Sequence, residues 1–238
     1  AHGRQGNRLM KLFSGHPSEW NELVASLPNS HILQSWEWAD VKAKYGWKSA
    51  AYFWNDLESN SFDKKPIVAA AMIMKRIIPI KGFSAKLCIM YIPRGPNMNW
   101  EDKGLRLRVL NDLQRYARDQ HAIFIKMDPD LVVGKGIPGN ADQQDNKDGA
   151  TITDELVSRN WIFSNEQIQF RNTAMIDLDL SEDEIRSKFK QKTRYNINLA
   201  SRKGVIVRNG TLDDLPLLYD MYAETSIRDG FVIRDEGY

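Results

Sequence analysis

The sequence predicts a mixed α/β protein built from two successive units, of which the second is incomplete. Helical and strand-like segments alternate along the 238 residues, and the order of elements begins again after about residue 165. With 42% hydrophobic and 27% charged residues, the composition excludes disorder, collagen and coiled coil as whole-chain structures. We expect a first domain over residues 1–165 and the first part of a second, truncated domain over residues 166–238.

The first unit is predicted to begin with two helices. Residues 17–27 place apolar side chains on one face, as an amphipathic helix requires. A brief extended segment over residues 31–34 follows. Ser35 is a suitable N-cap for a second helix over residues 36–44, which Gly46 ends.

A set of strands is predicted next. Three apolar runs, at residues 50–54, 67–78 and 87–92, are separated by polar or glycine-containing turns and indicate a strand meander. Residues 102–120 carry an apolar stripe at helical spacing. Residues 122–127 are apolar enough for a buried strand, which would complete the sheet.

Residues 129–150 have no apolar periodicity and predict a long mobile or disordered loop. They contain a Gly-x-Gly-x-x-Gly pattern, which is typical of dinucleotide sites only where a helix opens at the third glycine. Pro138 and a polar tract occupy that place, so we reject a dinucleotide site. A short helix is expected over residues 151–159.

The second unit repeats the alternation. Residues 173–180 alternate between apolar and polar side chains, which favours a strand. Ser181 and Glu184 form the sequence of a capping box at the start of a helix. A strand over residues 204–208 and a helix over residues 212–227 are expected to follow.

The ionic composition argues against a DNA-binding protein. Lysine and arginine total 33, and aspartate and glutamate total 31, for a net charge of +2. The single cysteine, Cys88, cannot form an internal disulfide, so we expect a cytoplasmic protein. The four histidines are scattered, so no metal site is expected, and no cofactor is implied.

The predicted second helix carries a candidate binding pair. Trp38 and Lys42 are four residues apart and would share one helix face. A lysine beside an aromatic ring suits a phosphate or ribose contact. A surface lysine next to core tryptophans is the alternative.

Two further candidates follow predicted strands. Arg94 lies in a rigid Pro-Arg-Gly-Pro turn, at the rim where open α/β sheets bind ligands. Asp128 precedes Pro129, and a carboxylate at a strand end could position or deprotonate an amine. An ordinary Asp-Pro turn is the alternative for that residue.

Residues 186–203 concentrate positive charge in a nearly neutral protein. Such a segment suits an RNA backbone or an anionic membrane surface, and a merely solvated basic helix is the alternative. The candidate cations are Lys188, Lys190, Lys192, Arg194, Arg202 and Lys203.

Four stretches resemble the FemABX aminoacyltransferases, which build the interpeptide bridges of peptidoglycan. They are residues 33–42 (LQSWEWADVK), 91–96 (YIPRGP), 126–129 (KMDP) and 192–205 (KTRYNINLASRKGV). They occur in family order and cover most of the chain from about residue 30 onward. The resemblance implies tandem GNAT-like domains, that is, domains like the acyl-CoA N-acyltransferases.

The resemblance also implies an activity and its partners. The expected reaction transfers an amino acid from aminoacyl-tRNA to the side-chain amine of the third stem-peptide residue. The acceptor would be UDP-MurNAc-pentapeptide or lipid II, with possible peripheral contact to the inner membrane surface. An activated ester needs no dedicated nucleophile, which agrees with the lack of a catalytic-triad motif.

The resemblance assigns roles to particular residues. Lys42 matches a family lysine that contacts the nucleotide diphosphate. Arg234 and Tyr238 match residues that line the acceptor site, and Asp128 matches a strand-end aspartate that is a candidate base. Two other functions remain open: an acyl-CoA-dependent N-acyltransferase of the same fold, and a non-catalytic module that binds RNA or an anionic surface.

Overall fold

One β-sheet organises the first unit. The computed structural model describes residues 10–57, 65–79, 87–137 and 139–238, and the chain divides into two units, Ala1–Gln169 and Phe170–Tyr238. The strands of the sheet are β1 (Met10–Leu12), β2 (Lys48–Asn55), β3 (Ile67–Ile78), β4 (Leu87–Ile92), β5 (Asn97–Met98) and β6 (Ala122–Met127). They lie in the order β1-β2-β3-β4-β6, with β5 paired to β3. The predicted meander is therefore confirmed, whereas β1 was missed.

The pairing changes direction at one edge of the sheet. The strands β1, β2, β3 and β4 pair antiparallel in sequence. The last strand, β6, lies parallel to β4, with Ile92 opposite Met127. Parallel neighbours need a long crossover connection, and a helix between the two strands supplies it.

Helices cover both faces of the sheet. They are α1 (Pro17–Ser26), α2 (Trp36–Lys44), α3 (Lys103–Asp119) and α4 (Lys147–Ser158). Ser35 caps α2 by accepting a hydrogen bond from the Trp38 amide, as the sequence predicts. Asp102 caps α3 in the same way, through the Leu105 amide.

The central strand β3 is buried on both sides. Ala69, Ala71 and Ile73 belong to a core shared with α3 and α4. Ala70 and Met72 belong to a second core shared with α1 and α2. Since successive side chains of a strand point to opposite faces, the continuous apolar run of β3 fills two cores at once.

A buried amide ties the segment before α2 to the sheet. Gln34 is fully buried, and its Nε2 donates to the Pro93 carbonyl at 2.6 Å. Its Oε1 accepts from the Met72 amide of β3, also at 2.6 Å. Gly95 passes so close that a Cβ there would lie 2.9 Å from Gln34 Cδ. Gln34 thus connects the turn after β4 to the backbone of β3.

The predictions for two connecting segments are wrong. Ile32–Gln34 forms a turn of 3₁₀ helix rather than an extended segment, because the His31 ring accepts a hydrogen bond from the Leu33 amide. The predicted loop over residues 129–150 contains a hairpin of β7 (Gly134–Lys135) and β8 (Gln144–Asp145). Asn146 caps α4, which therefore begins four residues earlier than predicted. No helix opens at the third glycine of the rejected motif, and Pro138 lies outside the described residues.

The regular elements of the second unit that the structure describes are helices. Its helices are α5 (Glu182–Lys188), α6 (Gln191–Arg202) and α7 (Leu215–Asp229). The predicted capping box of Ser181 and Glu184 is confirmed. The strands predicted over residues 173–180 and 204–208 are wrong, because both segments are irregular. A strand needs a neighbouring backbone for its hydrogen bonds, and none of the described residues pairs with either segment.

We expect Gln34→Ala to lower the free energy of unfolding of the first unit by about 3 kcal/mol. The substitution leaves the buried Met72 amide and Pro93 carbonyl without their partners. Chemical denaturation followed by tryptophan fluorescence measures the change. Gln114→Ala, at a half-exposed position of α3, should change stability by less than about 0.5 kcal/mol. Equal effects of the two substitutions would contradict this role of Gln34.

Candidate functional site

The site lies at the carboxyl ends of β4 and β6. Because the two strands are parallel neighbours, the residues that follow them meet at the same edge of the sheet. Asp128 directly follows β6, and Arg94 lies in the turn after β4. The structure therefore brings together two of the residues predicted from the sequence.

Asp128 is held by one hydrogen bond to each carboxylate oxygen. The Tyr91 hydroxyl donates to Oδ2 at 2.7 Å, and the Arg94 amide donates to Oδ1 at 2.7 Å. Arg94, which supplies this amide, has a φ of +49° in the left-handed region. The left-handed conformation of Arg94 is thus part of the turn that presents its amide to Asp128. The partly buried carboxylate thus has a fixed orientation.

Burial raises the pKa of Asp128 above its ordinary value of 3.8. The hydrogen bonds from Arg94 and Tyr91 and the positive charges of Arg94 and Lys126 act in the opposite direction without cancelling it. A carboxyl group with a raised pKa and accessible lone pairs can accept a proton more readily than a solvated aspartate.

Tyr91 is the residue of the site that sequence reasoning missed. Burial raises its pKa well above the ordinary value of 10, which keeps the hydroxyl protonated. Its ring packs against Trp47, with the ring centroids 6.5 Å apart, and its oxygen lies 3.4 Å from Gln169 Nε2. The separation of 37 residues between Tyr91 and Asp128 leaves no local pattern that would reveal the contact.

The Arg94 side chain is directed to a carboxylate. Its guanidinium lies 3.4 Å from Asp130, whose side chain is 57% exposed. Nearby, partial burial and the positive charge of Arg94 lower the pKa of His31. The residue predicted to bind a ligand therefore also organises its own turn, through its backbone at Asp128 and its side chain at Asp130.

Residues 161–169, named here the strap, reach back to β4 and β6. Lys126 of β6 donates to the Ser164 hydroxyl at 3.0 Å and to the Glu166 carbonyl at 2.6 Å. Gln169 reaches Tyr91 of β4. The strap is thus attached to both strands whose ends carry the site.

Trp38 and Lys42 share one face of α2, as their spacing predicts. Lys42 Nζ lies 5.4 Å from the centroid of the Trp38 ring. The Lys42 carbonyl accepts a hydrogen bond from the Trp47 amide at 3.2 Å. Since Trp47 also packs on Tyr91, a short chain of contacts connects the end of α2 with Asp128.

The candidates of the second unit lie in two places. Arg234 stacks on Tyr238, with its guanidinium carbon 5.3 Å from the ring centroid. The basic segment is divided, because α5 ends at Lys188 and α6 begins after Lys190. Arg194 donates to the carbonyls of Ser187 and Phe189 across that break.

The basic face of α6 is narrower than the sequence suggests. Lys192 lies in the first turn of α6, whereas Arg202 is its last residue and Lys203 its C-cap. Arg194 lies on a different side, where it joins α5 to α6. Lys192, Arg202 and Lys203 are exposed to solvent.

Within residues 10–57, 65–79, 87–137 and 139–238, no group of three or more His, Cys, Asp or Glu side chains could hold a metal ion. Over the same ranges, no helix has the length and apolar character needed to cross a membrane.

Comparison with known proteins identifies the family. The model of the FemAB family matches residues 16–238, so the chain belongs to the FemAB family, and the resemblance seen in the sequence is confirmed. Lipid II:glycine glycyltransferase of Staphylococcus haemolyticus is 27% identical over 220 residues, which cover 92% of this chain and 48% of that protein. The Staphylococcus aureus protein of the same name gives the same identity and coverage.

A solved structure shows the same fold. The crystal structure of FemX matches with a TM-score of 0.69 at 22% identity, covering 96% of this chain and 52% of that one. The chain spans about half the length of the curated relatives it matches.

We expect the stability contributed by Asp128 to fall as pH rises. The folded chain binds this proton more tightly than the unfolded chain, so folding is favoured by acid at this group. The unfolding free energy of the wild type minus that of Asp128→Asn should therefore decrease as pH rises from the ordinary value of 3.8 through the raised folded-state pKa.

Denaturant titrations between about pH 3.5 and pH 7 measure this difference. Gln114→Ala, at a half-exposed position of α3, is the control, because it removes no titratable group and its difference should stay constant over the same window. A difference for Asp128 that rises with pH would contradict the raised pKa.

Proposed function

We propose that the full-length protein is an aminoacyltransferase of peptidoglycan synthesis. It transfers an amino acid from aminoacyl-tRNA to the side-chain amine of the third stem-peptide residue. The observation that carries this proposal is the partly buried, doubly hydrogen-bonded carboxylate of Asp128 at the ends of two parallel strands. Membership of the FemAB family and relatives named lipid II:glycine glycyltransferase support the class of reaction.

The reaction needs a base and an oriented amine. Asp128 takes one proton from the acceptor ammonium, which leaves a neutral amine with a lone pair. The amine nitrogen bonds to the ester carbonyl carbon of the donor, and the bond from that carbon to the ribose oxygen breaks. The ribose oxygen leaves with the second amine proton, and Asp128 returns its proton to solvent.

The first unit supplies the contact for the acceptor. Lys42 is held beside the Trp38 ring on α2, and an ammonium next to an aromatic face suits the diphosphate and sugar of a nucleotide- or lipid-linked precursor. Trp47 links the end of α2 to Tyr91 and so to Asp128. The acceptor is UDP-MurNAc-pentapeptide or lipid II, and the names of the relatives favour lipid II.

The second unit supplies anion contacts of its own. Lys192, Arg202 and Lys203 are exposed at the two ends of α6 and suit the phosphates of the donor tRNA, because lysine and arginine side chains neutralise a nucleic-acid backbone. Arg234, stacked on Tyr238, is a second cation for a phosphate of the acceptor. We place the reaction in the cytoplasm, peripheral to the membrane that carries lipid II, and we propose that residues 1–165 and 166–238 belong to two GNAT-like domains.

Asp128→Asn should lower the rate of transfer by at least about a hundredfold, because the amide cannot accept the ammonium proton. The full-length protein is incubated with charged tRNAs and lipid II or UDP-muropeptide, and the product is measured by mass spectrometry. The expected product is heavier by one amino-acid residue. Asp154→Asn, the same substitution at an exposed position of α4, is the control and should retain most of the activity.

Three results would overturn the proposed function. They are no mass gain with any charged tRNA, an equal rate in Asp128→Asn, and transfer from an acyl-CoA instead of tRNA. The last result would identify an acyl-CoA-dependent N-acyltransferase. Salt-sensitive tRNA binding without transfer would instead identify a binding module.

Lys42→Ala should weaken the binding of UDP-muropeptide by roughly tenfold, since it removes a charge-assisted contact to phosphate. Isothermal titration calorimetry on the full-length protein measures the dissociation constant. Lys44→Ala is the matched control, because this exposed lysine lies two residues further on and on another side of α2. An equal increase in the dissociation constant for both variants would show that Lys42 contributes only to the overall positive charge and makes no specific contact.

A further inference from the structure

Three polar groups follow one another at the ends of β4 and β6. Gln169 Nε2 lies 3.4 Å from the Tyr91 oxygen, and that oxygen lies 2.7 Å from Asp128 Oδ2. We propose that Tyr91 is the positioning residue of Asp128, and that Gln169 sets the direction of the hydrogen bond between them. This inference rests on the proposed function, in which Asp128 is the base.

The direction of the hydrogen bonds follows from the chemistry of the groups. An amide nitrogen can only donate, so Gln169 occupies a lone pair of the Tyr91 oxygen. The hydroxyl hydrogen of Tyr91 is then available for Asp128, and an ionised carboxylate can only accept it. With a glutamate at position 169, the side chain would compete with Asp128 for that hydrogen.

The hydrogen bond from Tyr91 completes the orientation of the carboxylate. The Arg94 amide already holds Oδ1, and a second donor at Oδ2 prevents rotation about the bond to the carboxyl carbon. The remaining lone pairs of Asp128 therefore point in a constant direction, as a base aligned with an amine requires. Trp47 packs against the Tyr91 ring and keeps the hydroxyl in place.

The strap holds Gln169 where this role needs it. Lys126 fixes Ser164 and Glu166 of the strap against β6, three residues or more before Gln169. Gln169 therefore contacts Tyr91 of β4, while the strap that carries Gln169 is attached to Lys126 of the adjacent strand β6. Tyr91 contacts the Asp128 carboxylate and acts through it, so its role is positioning.

Tyr91→Phe tests the proposal, because the variant keeps the ring and removes only the donor. The carboxyl carbon of Asp128 is titrated by ¹³C NMR in the full-length protein, and its signal is assigned with Asp128→Asn. Loss of a donor to the carboxylate should move the midpoint up by on the order of one pH unit. In the transfer assay, kcat should fall roughly tenfold, with its acidic limb shifted in the same direction and KM for the acceptor within about twofold.

Tyr52→Phe is the matched control. It removes the hydroxyl that donates to Tyr116 in the same unit, and it should leave the Asp128 midpoint and the pH profile unchanged. An unchanged Asp128 midpoint in Tyr91→Phe, or an equal shift in Tyr52→Phe, would overturn the proposal.

Gln169→Glu provides a second variant. Competition for the Tyr91 hydrogen and the added negative charge should both raise the Asp128 midpoint. Asn165→Asp adds the same charge at an exposed position of the strap and should shift the midpoint much less. An equal shift in both would show that charge, and not the direction of the hydrogen bond, is responsible.

The titration requires no substrate, so the two proposals can fail separately. Absence of transfer in the wild type would reject the proposed function, whereas the NMR midpoints would still decide whether Tyr91 controls Asp128.

Discussion

The parallel pairing of β4 with β6 is the constraint on which the candidate site depends. Every other long strand of this sheet runs antiparallel to its neighbours, and an antiparallel β6 would carry Asp128 to the opposite edge of the sheet. The crossover through α3 reverses that geometry. It brings Asp128 into contact with Tyr91 and Arg94, which lie 37 and 34 residues away in the sequence.

The chemistry of Asp128 results from two opposing effects. Burial disfavours the charged carboxylate, while two donors and neighbouring cations favour it, and burial is the larger effect. The two donors therefore orient the carboxylate of Asp128, while its pKa stays above the ordinary value. Gln34 supports the same turn from the other side, because it bonds the Pro93 carbonyl next to Arg94. Asp128 is thus held directly at the end of a strand of the sheet.

The sequence predicts the parts of this structure that depend on local physics. The cap at Ser35, the capping box at Ser181 and the pair of Trp38 and Lys42 follow from spacing along a helix. The strands β2, β3 and β4 follow from apolar runs between turns. Strand propensity alone misled at residues 204–208, since a strand forms only with a neighbour. The contacts of Tyr91 with Asp128 and Gln169 depend on strand order, which no short pattern encodes.

The strap also bears on how the protein can be dissected into domains. A cut after residue 165 would separate Lys126 from the Glu166 carbonyl and Tyr91 from Gln169. Lys126 of β6 and Tyr91 of β4 would each lose a hydrogen-bond partner, although the core of the sheet would remain complete. Limited proteolysis within the strap could therefore leave a folded fragment in which Lys126 and Tyr91 lack these hydrogen bonds. A fragment that keeps these hydrogen bonds must extend through Gln169.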